Sequence, residues 1–359
     1  MSRSFEVRIA PHERVIHAHA DQPVLDAALA AGLNLPHSCK SGHCASCRAR
    51  LLSGEIEYPR GRPLGLTAED VRAGYVLLCQ ARARSALRIE ARLIARVGDV
   101  EIKTLPSRIA RKVQLAPDVL QLFLRLPAVE RLEFQPGQYL DVLLEDGRRR
   151  SFSIASPPHD SALLELHVRR VAGGGFTQRL FDELAVGALL RIEGPLGQFI
   201  YRDSSAPLLL IAGGTGFAPL KSMLRHALER APSSSLDRRM HLFWGVRAPA
   251  DLYEAALVRE WVKRHPQLSF TPVFSQTGRG GAGPDSSPGV YREGLVHEAV
   301  LADYPCLAQF EVCAAGPPEM IEAIRAAYPA HGLAPEHLSF DSFDYASDSR
   351  AERTPHGRN

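Results

Sequence analysis

The chain has 359 residues, a formal charge of +3 and 45% hydrophobic residues. That length suggests two or three domains, and a near-neutral charge without a long basic run argues against a nucleic-acid partner. Six cysteines, no apolar targeting core after Met1, and Pro207 to Ala212 as the longest apolar run indicate a reducing, cytoplasmic setting and no membrane span. Phe5 to Ile9 alternates like a strand, and Val15 to Ala20 repeats the pattern after a turn at Pro11 to Glu13. Val24 to Ala31 has the apolar spacing of a short helix that stops at Gly32. Ala49 to Glu55 gives a strand and turn, Thr67 starts a helix with Glu69 and Asp70 in its first turn, and Leu87 to Ala91 closes the unit. Residues 1–92 therefore form a small, mildly basic α+β domain. Residues 103–203 form a second domain. Its strands are predicted at Ser107 to Val113, Val119 to Leu126, Gln138 to Leu144, Arg150 to Ala155, Leu164 to Val171 and Leu189 to Gly194, with a helix at Phe176 to Leu184. Strands at this spacing suggest an antiparallel barrel. Residues 205–343 change character. Pro207 to Ala212 reads as a strand buried on both faces, and the pattern continues with a helix from Leu220 to Ala231, strand His241 to Gly245, helix Leu252 to His265 and strand Leu268 to Phe274. Strand Phe310 to Ala315 and helix Glu319 to Tyr328 complete a parallel, doubly wound α/β sheet. The loop Gly278 to Gly289 reads as flexible, and the polar tail 344–359 as disordered.

Cys39, Cys44 and Cys47 stand at C-x4-C-x2-C, and Cys79 follows 32 residues after Cys47. This is the plant-type spacing for four thiolates around a [2Fe–2S] cluster. Gly42, Ser41, Ala45 and Ser46 leave room for backbone N–H groups to approach inorganic sulfide. Structural zinc is the competing reading, but zinc sites usually pair two C-x2-C knuckles and only one is present.

Gly213-Gly214-Thr215-Gly216-Phe217-Ala218-Pro219 joins the buried strand to a helix. Glycines there admit a pyrophosphate, which a helix N-terminus stabilises. Gly214 and Gly216 fit the first two positions of the dinucleotide fingerprint, whereas Pro219 occupies the third. In the barrel, Arg149-Arg150-Ser151-Phe152-Ser153 sets an arginine, an aromatic ring and hydroxyls on one strand. Arginine pairs with phosphate, the ring can stack on an isoalloxazine, and a hydroxyl can bond a ring nitrogen. A basic edge strand with a core Phe152 is the bland alternative.

Together these motifs resemble the ferredoxin–NAD(P)+ reductase superfamily with an N-terminal plant-type ferredoxin domain, over residues 4–343. The resemblance implies a β-grasp ferredoxin domain, an antiparallel flavin barrel and a doubly wound nucleotide domain. Arg150 to Ser153 resembles the flavin motif Arg-x-Tyr-Ser with Phe152 in place of tyrosine, and Tyr139 lies in the barrel signature Pro136-Gly137-Gln138-Tyr139. His167, Val168 and Arg169, followed by Gly174, Gly175 and Thr177, resemble the second flavin segment, where a turn and a hydroxyl hold the pyrophosphate. Gly214, Thr215 and Gly216 resemble the nicotinamide loop, in which the final proline is normal, and Gly316 and Pro317 resemble its Cys-Gly-Pro, with Ala315 where the cysteine belongs. Cys313, two residues earlier on the same face, reads as a core residue. Asp341 and Phe343 resemble the acidic-aromatic segment beside the flavin. The likeness implies FAD, a [2Fe–2S] cluster and NADH, with NADPH open because Arg247 and Asp251 both follow the second strand of the third domain. It implies catalytic roles for Ser153 and Asp341, and an electron-accepting protein as partner, either a dehydratase-type enzyme or an oxygenase component. A redox carrier or sensor with vestigial nucleotide binding is the alternative of another class, supported by Phe152 and Ala315 and opposed by Arg150, Ser153, Gly214 and Gly216.

Overall fold

Val7 and Ile9 point into a core while Glu6 and Arg8 face outward, so the period of two written in the first strand is the one that folds. A computed structural model describes residues 3–33, 35–37, 40, 42, 45–63, 65–91, 93, 101–171, 175–230, 238–276 and 291–343. Cys39, Cys44, Gly174, the loop 278–289 and the tail 344–359 lie outside them. The chain divides into two compact units, Met1–Asp99 and Val100–Asn359.

The first unit runs β1 (Ser4–Ala10), β2 (Arg14–His19), α1 (Val24–Ala30), β3 (Arg48–Ser53), β4 (Ile56–Glu57), α2 (Ala68–Arg72), β5 (Tyr75–Leu77), β6 (Arg82–Ala83) and β7 (Leu87–Glu90). Its main sheet has the order β2-β1-β7-β3-β5, with β1 and β7 parallel and the other neighbours antiparallel. Val24 and Leu25 of α1 bury against Val7, Ile9, Leu77 and Ile89. Thr67 caps α2 as expected, and Asp70 completes a reciprocal capping box.

The second unit opens with β8 (Lys103–Ala116), β9 (Val119–Arg125), β10 (Tyr139–Leu143), β11 (Arg149–Ser153), β12 (Leu164–Arg169), α3 (Gly175–Asp182) and β13 (Leu189–Leu196). The order β11-β10-β13-β8-β9-β12 is antiparallel throughout. An Ile154–Leu166 bridge joins the two outer strands, so the sheet curls shut as a barrel.

The same unit continues with β14 (Leu208–Gly213), a 3-10 turn at Gly214–Gly216, α4 (Phe217–Arg230), β15 (Met240–Val246), α5 (Ala255–Arg264), β16 (Leu268–Phe274), β17 (Arg292–Glu293), α6 (Val296–Asp303), β18 (Glu311–Gly316), α7 (Pro318–Ala327) and β19 (Leu338–Ser342). This sheet is parallel, in the order β17-β16-β15-β14-β18-β19. On β14, Leu208 and Leu210 enter one core and Leu209 and Ile211 the other, which is why that strand reads as a continuous apolar run. Several bounds differ from expectation: β8 is longer at both ends and α5 begins three residues late. α4 begins at Phe217, three residues early, because Pro219 lies in its first turn, where no N–H is needed. β17, α6 and β19 carry no signal long enough to separate them from loop. Among the described residues, no helix is long and apolar enough to cross a membrane.

Arg238 anchors the base of this sheet. It is buried, pairs with Glu311 at 2.8 Å and donates to the carbonyls of Ala206 and Arg202 at 2.7 and 2.9 Å. Arg238→Ala leaves one carboxylate and two carbonyls without their donor. It should destabilise the second unit by about 3 kcal/mol. Equilibrium urea unfolding checks this, and a loss below about 1 kcal/mol would class the pair with exposed ion pairs.

Candidate functional site

Three groups of residues converge on chemistry. The first surrounds Cys47 and Cys79, both buried. Cys47 precedes β3 and Cys79 follows β5, and the N–H of Leu78 donates to the Cys47 carbonyl at 3.2 Å, fastening the two turns together. The loop before Cys47 turns through left-handed residues at Lys40, Gly42 and Ala45. Gly42 has φ of +84°, and a Cβ there would lie 2.9 Å from both Gln80 and Pro63. Gln80 donates from Nε2 to the Lys40 carbonyl at 2.8 Å and so pins the loop to the turn carrying Cys79. The Leu77 N–H donates to the Tyr58 hydroxyl at 2.9 Å. Burial, followed by the nearby Cys47 and Cys79, pushes the Tyr58 phenol up to about 12. Two buried thiols on adjoining turns suit a cluster held by thiolates.

The second group lies where the parallel sheet changes direction. The chain winds from β14 through β15 and β16 to β17 on one side, then crosses to β18 and β19 on the other. Ligands bind at such switch points, outside the carboxyl ends of the strands. Gly214, Thr215 and Gly216 leave the end of β14 here, and Gly316 and Pro317 leave the end of β18. The Phe343 N–H donates to the Gly316 carbonyl at 2.9 Å, and Asp341 pairs in register with Ala315. Asp341 and Ser342 are buried, and the Ser342 hydroxyl makes no hydrogen bond. Cys313 packs in the same core cluster as Ala315, and burial pushes its thiol up to about 12, consistent with an inert core residue.

The third group is the barrel wall. In the β10–β11 register, Arg150 and Phe152 lie opposite Val142 and Leu140, whereas Ser151 and Ser153 lie opposite Asp141 and Tyr139. Phe152 is half-buried beside Phe176, with ring centres 6.1 Å apart. The Ser151 hydroxyl donates to the buried Asp141 at 2.6 Å, and Arg149 bridges Asp141 and Glu193, so Ser151 spends its side chain on the wall. Ser153 is buried and its hydroxyl has no hydrogen-bond partner. The Tyr139 ring lies against Gly197, 2.7 Å from where a Cβ would stand. The Thr177 hydroxyl accepts from the Val171 N–H at 3.2 Å, bracing the entry to α3 and Gly175. Arg169 lies 3.5 Å from Asp118 through Nε, while its Nε and Nη2 donate no hydrogen bond. Its Nη1 stands 3.2 Å from where a Gly214 Cβ would be. An orphaned hydroxyl on the barrel and a partly orphaned guanidinium beside the glycine turn are donors suited to a flavin dinucleotide and a phosphate.

Two residues expected at a flavin have other partners. The His167 side chain is fully buried, with Nδ1 hydrogen-bonded to the Tyr253 hydroxyl at 3.0 Å and Nε2 donating to Glu165 at 2.9 Å. Val168 lies in the barrel core. Any contact that either makes with a flavin falls to its main chain. Glu165 also accepts from Lys221 at 2.7 Å and from Gln121 at 2.5 Å, and Lys221 donates to Glu254 at 2.6 Å. Sequence reading passed over Glu165, Lys221, Tyr253 and Glu254. The one available signal was Glu165, His167 and Arg169 alternating along an otherwise apolar strand.

Three family models match in tandem: a 2Fe-2S iron-sulfur cluster binding domain at residues 7–84, an oxidoreductase FAD-binding domain at 106–201 and an oxidoreductase NAD-binding domain at 210–326. The CDP-6-deoxy-L-threo-D-glycero-4-hexulose-3-dehydrase reductase of Yersinia pestis is 36% identical, over 95% of this chain and 98% of its own. The terephthalate 1,2-dioxygenase reductase component 1 of Comamonas sp. is also 36% identical, over 90% and 92%. Among solved structures, the Amycolatopsis cytochrome P450 reductase GcoB is 33% identical, with a TM-score of 0.73 over 94% of this chain and 98% of that one.

Proposed function

We infer the roles of individual residues from one premise: the chain belongs to the ferredoxin–NAD(P)+ reductase superfamily, in the branch that carries an N-terminal [2Fe–2S] domain. It is an NAD(P)H-dependent oxidoreductase with FAD and a [2Fe–2S] cluster, and it passes electrons to an accepting partner. When bound, the flavin takes electrons from nicotinamide as a pair and yields them singly, the only form an iron–sulfur cluster accepts.

The chain's own residues bind, orient and screen. We assign Cys39, Cys44, Cys47 and Cys79 as cluster ligands. Ser153 supplies the hydrogen bond to the flavin ring, and its unpartnered hydroxyl supports that role. Arg150 and Arg169 pair with phosphate charge, and Gly174, Gly175 and Thr177 shape the pyrophosphate turn. Phe152 and Tyr139 flank the flavin. Gly214, Thr215 and Gly216, at the start of α4, receive the nicotinamide nucleotide, whose ring Gly316, Pro317, Asp341 and Phe343 frame. One observation carries this reading: the Arg169 guanidinium on the barrel stands against the Gly214 turn of the nucleotide sheet, so flavin and nucleotide elements meet there.

We favour NADH as donor. Asp251 holds the Arg247 guanidinium at 3.2 and 3.4 Å, which sets a carboxylate beyond β15 and occupies the cation that a 2′-phosphate would need. For the acceptor we favour a dehydratase-type enzyme such as the Yersinia relative's name describes, with an oxygenase component as the alternative.

Anaerobic titration of the purified protein with NADH, and separately with NADPH, tests the scheme. NADH is expected to bleach both flavin and iron–sulfur bands, at lower concentration than NADPH. Bleaching of flavin alone would break the link to the cluster. A colourless protein holding zinc would overturn the reading.

A further inference from the structure

Five polar side chains, Glu165, His167, Lys221, Tyr253 and Glu254, lie in the seam between the barrel and the parallel sheet, and their hydrogen bonds run to one another. Glu165 and Lys221 are buried, and the side chains of His167 and Glu254 are 0% and 9% exposed. Glu165, His167 and Glu254 converge as a metal-ligand set does, their ligand atoms within 4.8 Å of one another. The Lys221 ammonium bridges the two carboxylates at 2.7 and 2.6 Å and takes the place a cation would need. Burial would raise the Glu165 carboxyl, but the His167 hydrogen bond and the Lys221 charge outweigh it and hold it far below the usual range. The set is ionic, and its charged side chains are buried.

Its placement suggests what it does. Glu165, His167 and Arg169 alternate along β12, so all three face the nucleotide sheet. Lys221 lies four residues beyond Phe217, on the same face of α4, and Phe217 directly follows the Gly214–Gly216 turn. Phe217 stacks on Trp244 with ring centres 4.0 Å apart, and Trp244 donates from Nε1 to the Gly214 carbonyl at 2.9 Å. Tyr253 meets Trp244 edge-on and holds His167. Beside the direct approach of Arg169 to Gly214, the barrel is therefore linked to the glycine turn through this cluster and the rings it supports. An apolar seam can slide and stay satisfied; a buried ion cluster is satisfied in one register only.

We propose that Glu165, His167, Lys221, Tyr253 and Glu254 are positioning residues that set the glycine turn at a fixed distance from the flavin barrel for hydride transfer. The proposal rests on the reductase reading above. Misplacement by 1 Å can cost about 100-fold in rate, whereas overall nucleotide affinity depends on contacts elsewhere.

The test uses the holoenzyme and two variants, Glu254→Gln and the neutral triple Glu165→Gln/Lys221→Met/Glu254→Gln. Replacing a whole buried ion cluster with neutral groups preserves stability better than removing one partner. Rapid mixing with NADH gives the limiting rate of flavin bleaching and the nucleotide Kd, and thermal melting gives Tm. The triple variant should keep its flavin and Tm, lose about 10- to 100-fold in limiting rate, change Kd less than about threefold, and lose the long-wavelength absorbance of the stacked nucleotide–flavin pair. Glu254→Gln should fall between it and the unaltered protein. Either variant holding flavin and reacting at the unaltered rate would overturn the proposal. So would loss of flavin from both, since the cluster would then be needed for folding rather than for register. If the unaltered protein bleaches with neither nucleotide, the reductase reading itself fails.

Discussion

Cys79→Ser should abolish electron delivery to a one-electron acceptor while leaving nicotinamide-dependent flavin reduction intact. The proposed fourth ligand has no other cysteine near it in sequence on the turn after β5, so no neighbouring cysteine in that turn can substitute. A serine hydroxyl at the same place stays protonated near neutral pH and is a poor ligand for iron held by thiolates. Loss of groups that merely orient a ligand costs about 10- to 100-fold in metal affinity; loss of the ligand should exceed that. The expected protein is yellow rather than brown. It reduces ferricyanide from NADH at nearly the unaltered rate, and its cytochrome c reduction falls to background. Iron analysis and the visible spectrum check the first part, and paired steady-state assays the second. Retained iron–sulfur absorbance with full cytochrome c reduction would remove Cys79 from the ligand set.

The Cys39–Cys47 run, the β14 apolar run and the Gly213–Gly216 turn were legible because each is local: its pattern is complete within about ten residues of chain. The barrel strands were legible for the same reason, through their period of two. What stayed hidden depends on partners distant in sequence. Lys221 meets Glu165 across 56 residues and Glu254 across 33, and nothing near any one of them announces the others. Ser151 looked like a cofactor hydroxyl until the cross-strand register set it beside Asp141. His167 fell within a flavin-like segment, yet its ring turns toward Tyr253 and Glu165. Asp341 and Phe343 read as an acidic-aromatic segment, but nothing local showed that an edge strand, Leu338–Ser342, brings Asp341 alongside Ala315. In each case side-chain chemistry was readable in sequence, and the direction of the side chain was set by tertiary packing.

Gly216→Ala should separate nucleotide use from flavin and cluster binding. A Cβ at Gly216 would lie 1.9 Å from the Ala315 carbonyl oxygen and 2.5 Å from its carbon. Both are main-chain atoms at the end of β18, so no rotamer change relieves the clash. To reach even the shortest contact that real Cβ atoms make, about 3 Å, the glycine turn and β18 must part by about 1 Å. The two elements are those that would hold the nucleotide phosphate and frame its ring. A displacement of that size at a hydride-transfer site costs about 100-fold in rate, and overpacking adds about 1–3 kcal/mol of instability. The barrel and the Met1–Asp99 unit carry no part of the clash. Flavin and cluster spectra should therefore be unchanged, and dithionite should reduce both groups fully. NADH-driven flavin bleaching, followed by rapid mixing, should slow about 100-fold with weaker nucleotide binding. The same loss in dithionite reduction would place the damage in folding, and an unaltered NADH rate would show that the nucleotide does not approach through this turn.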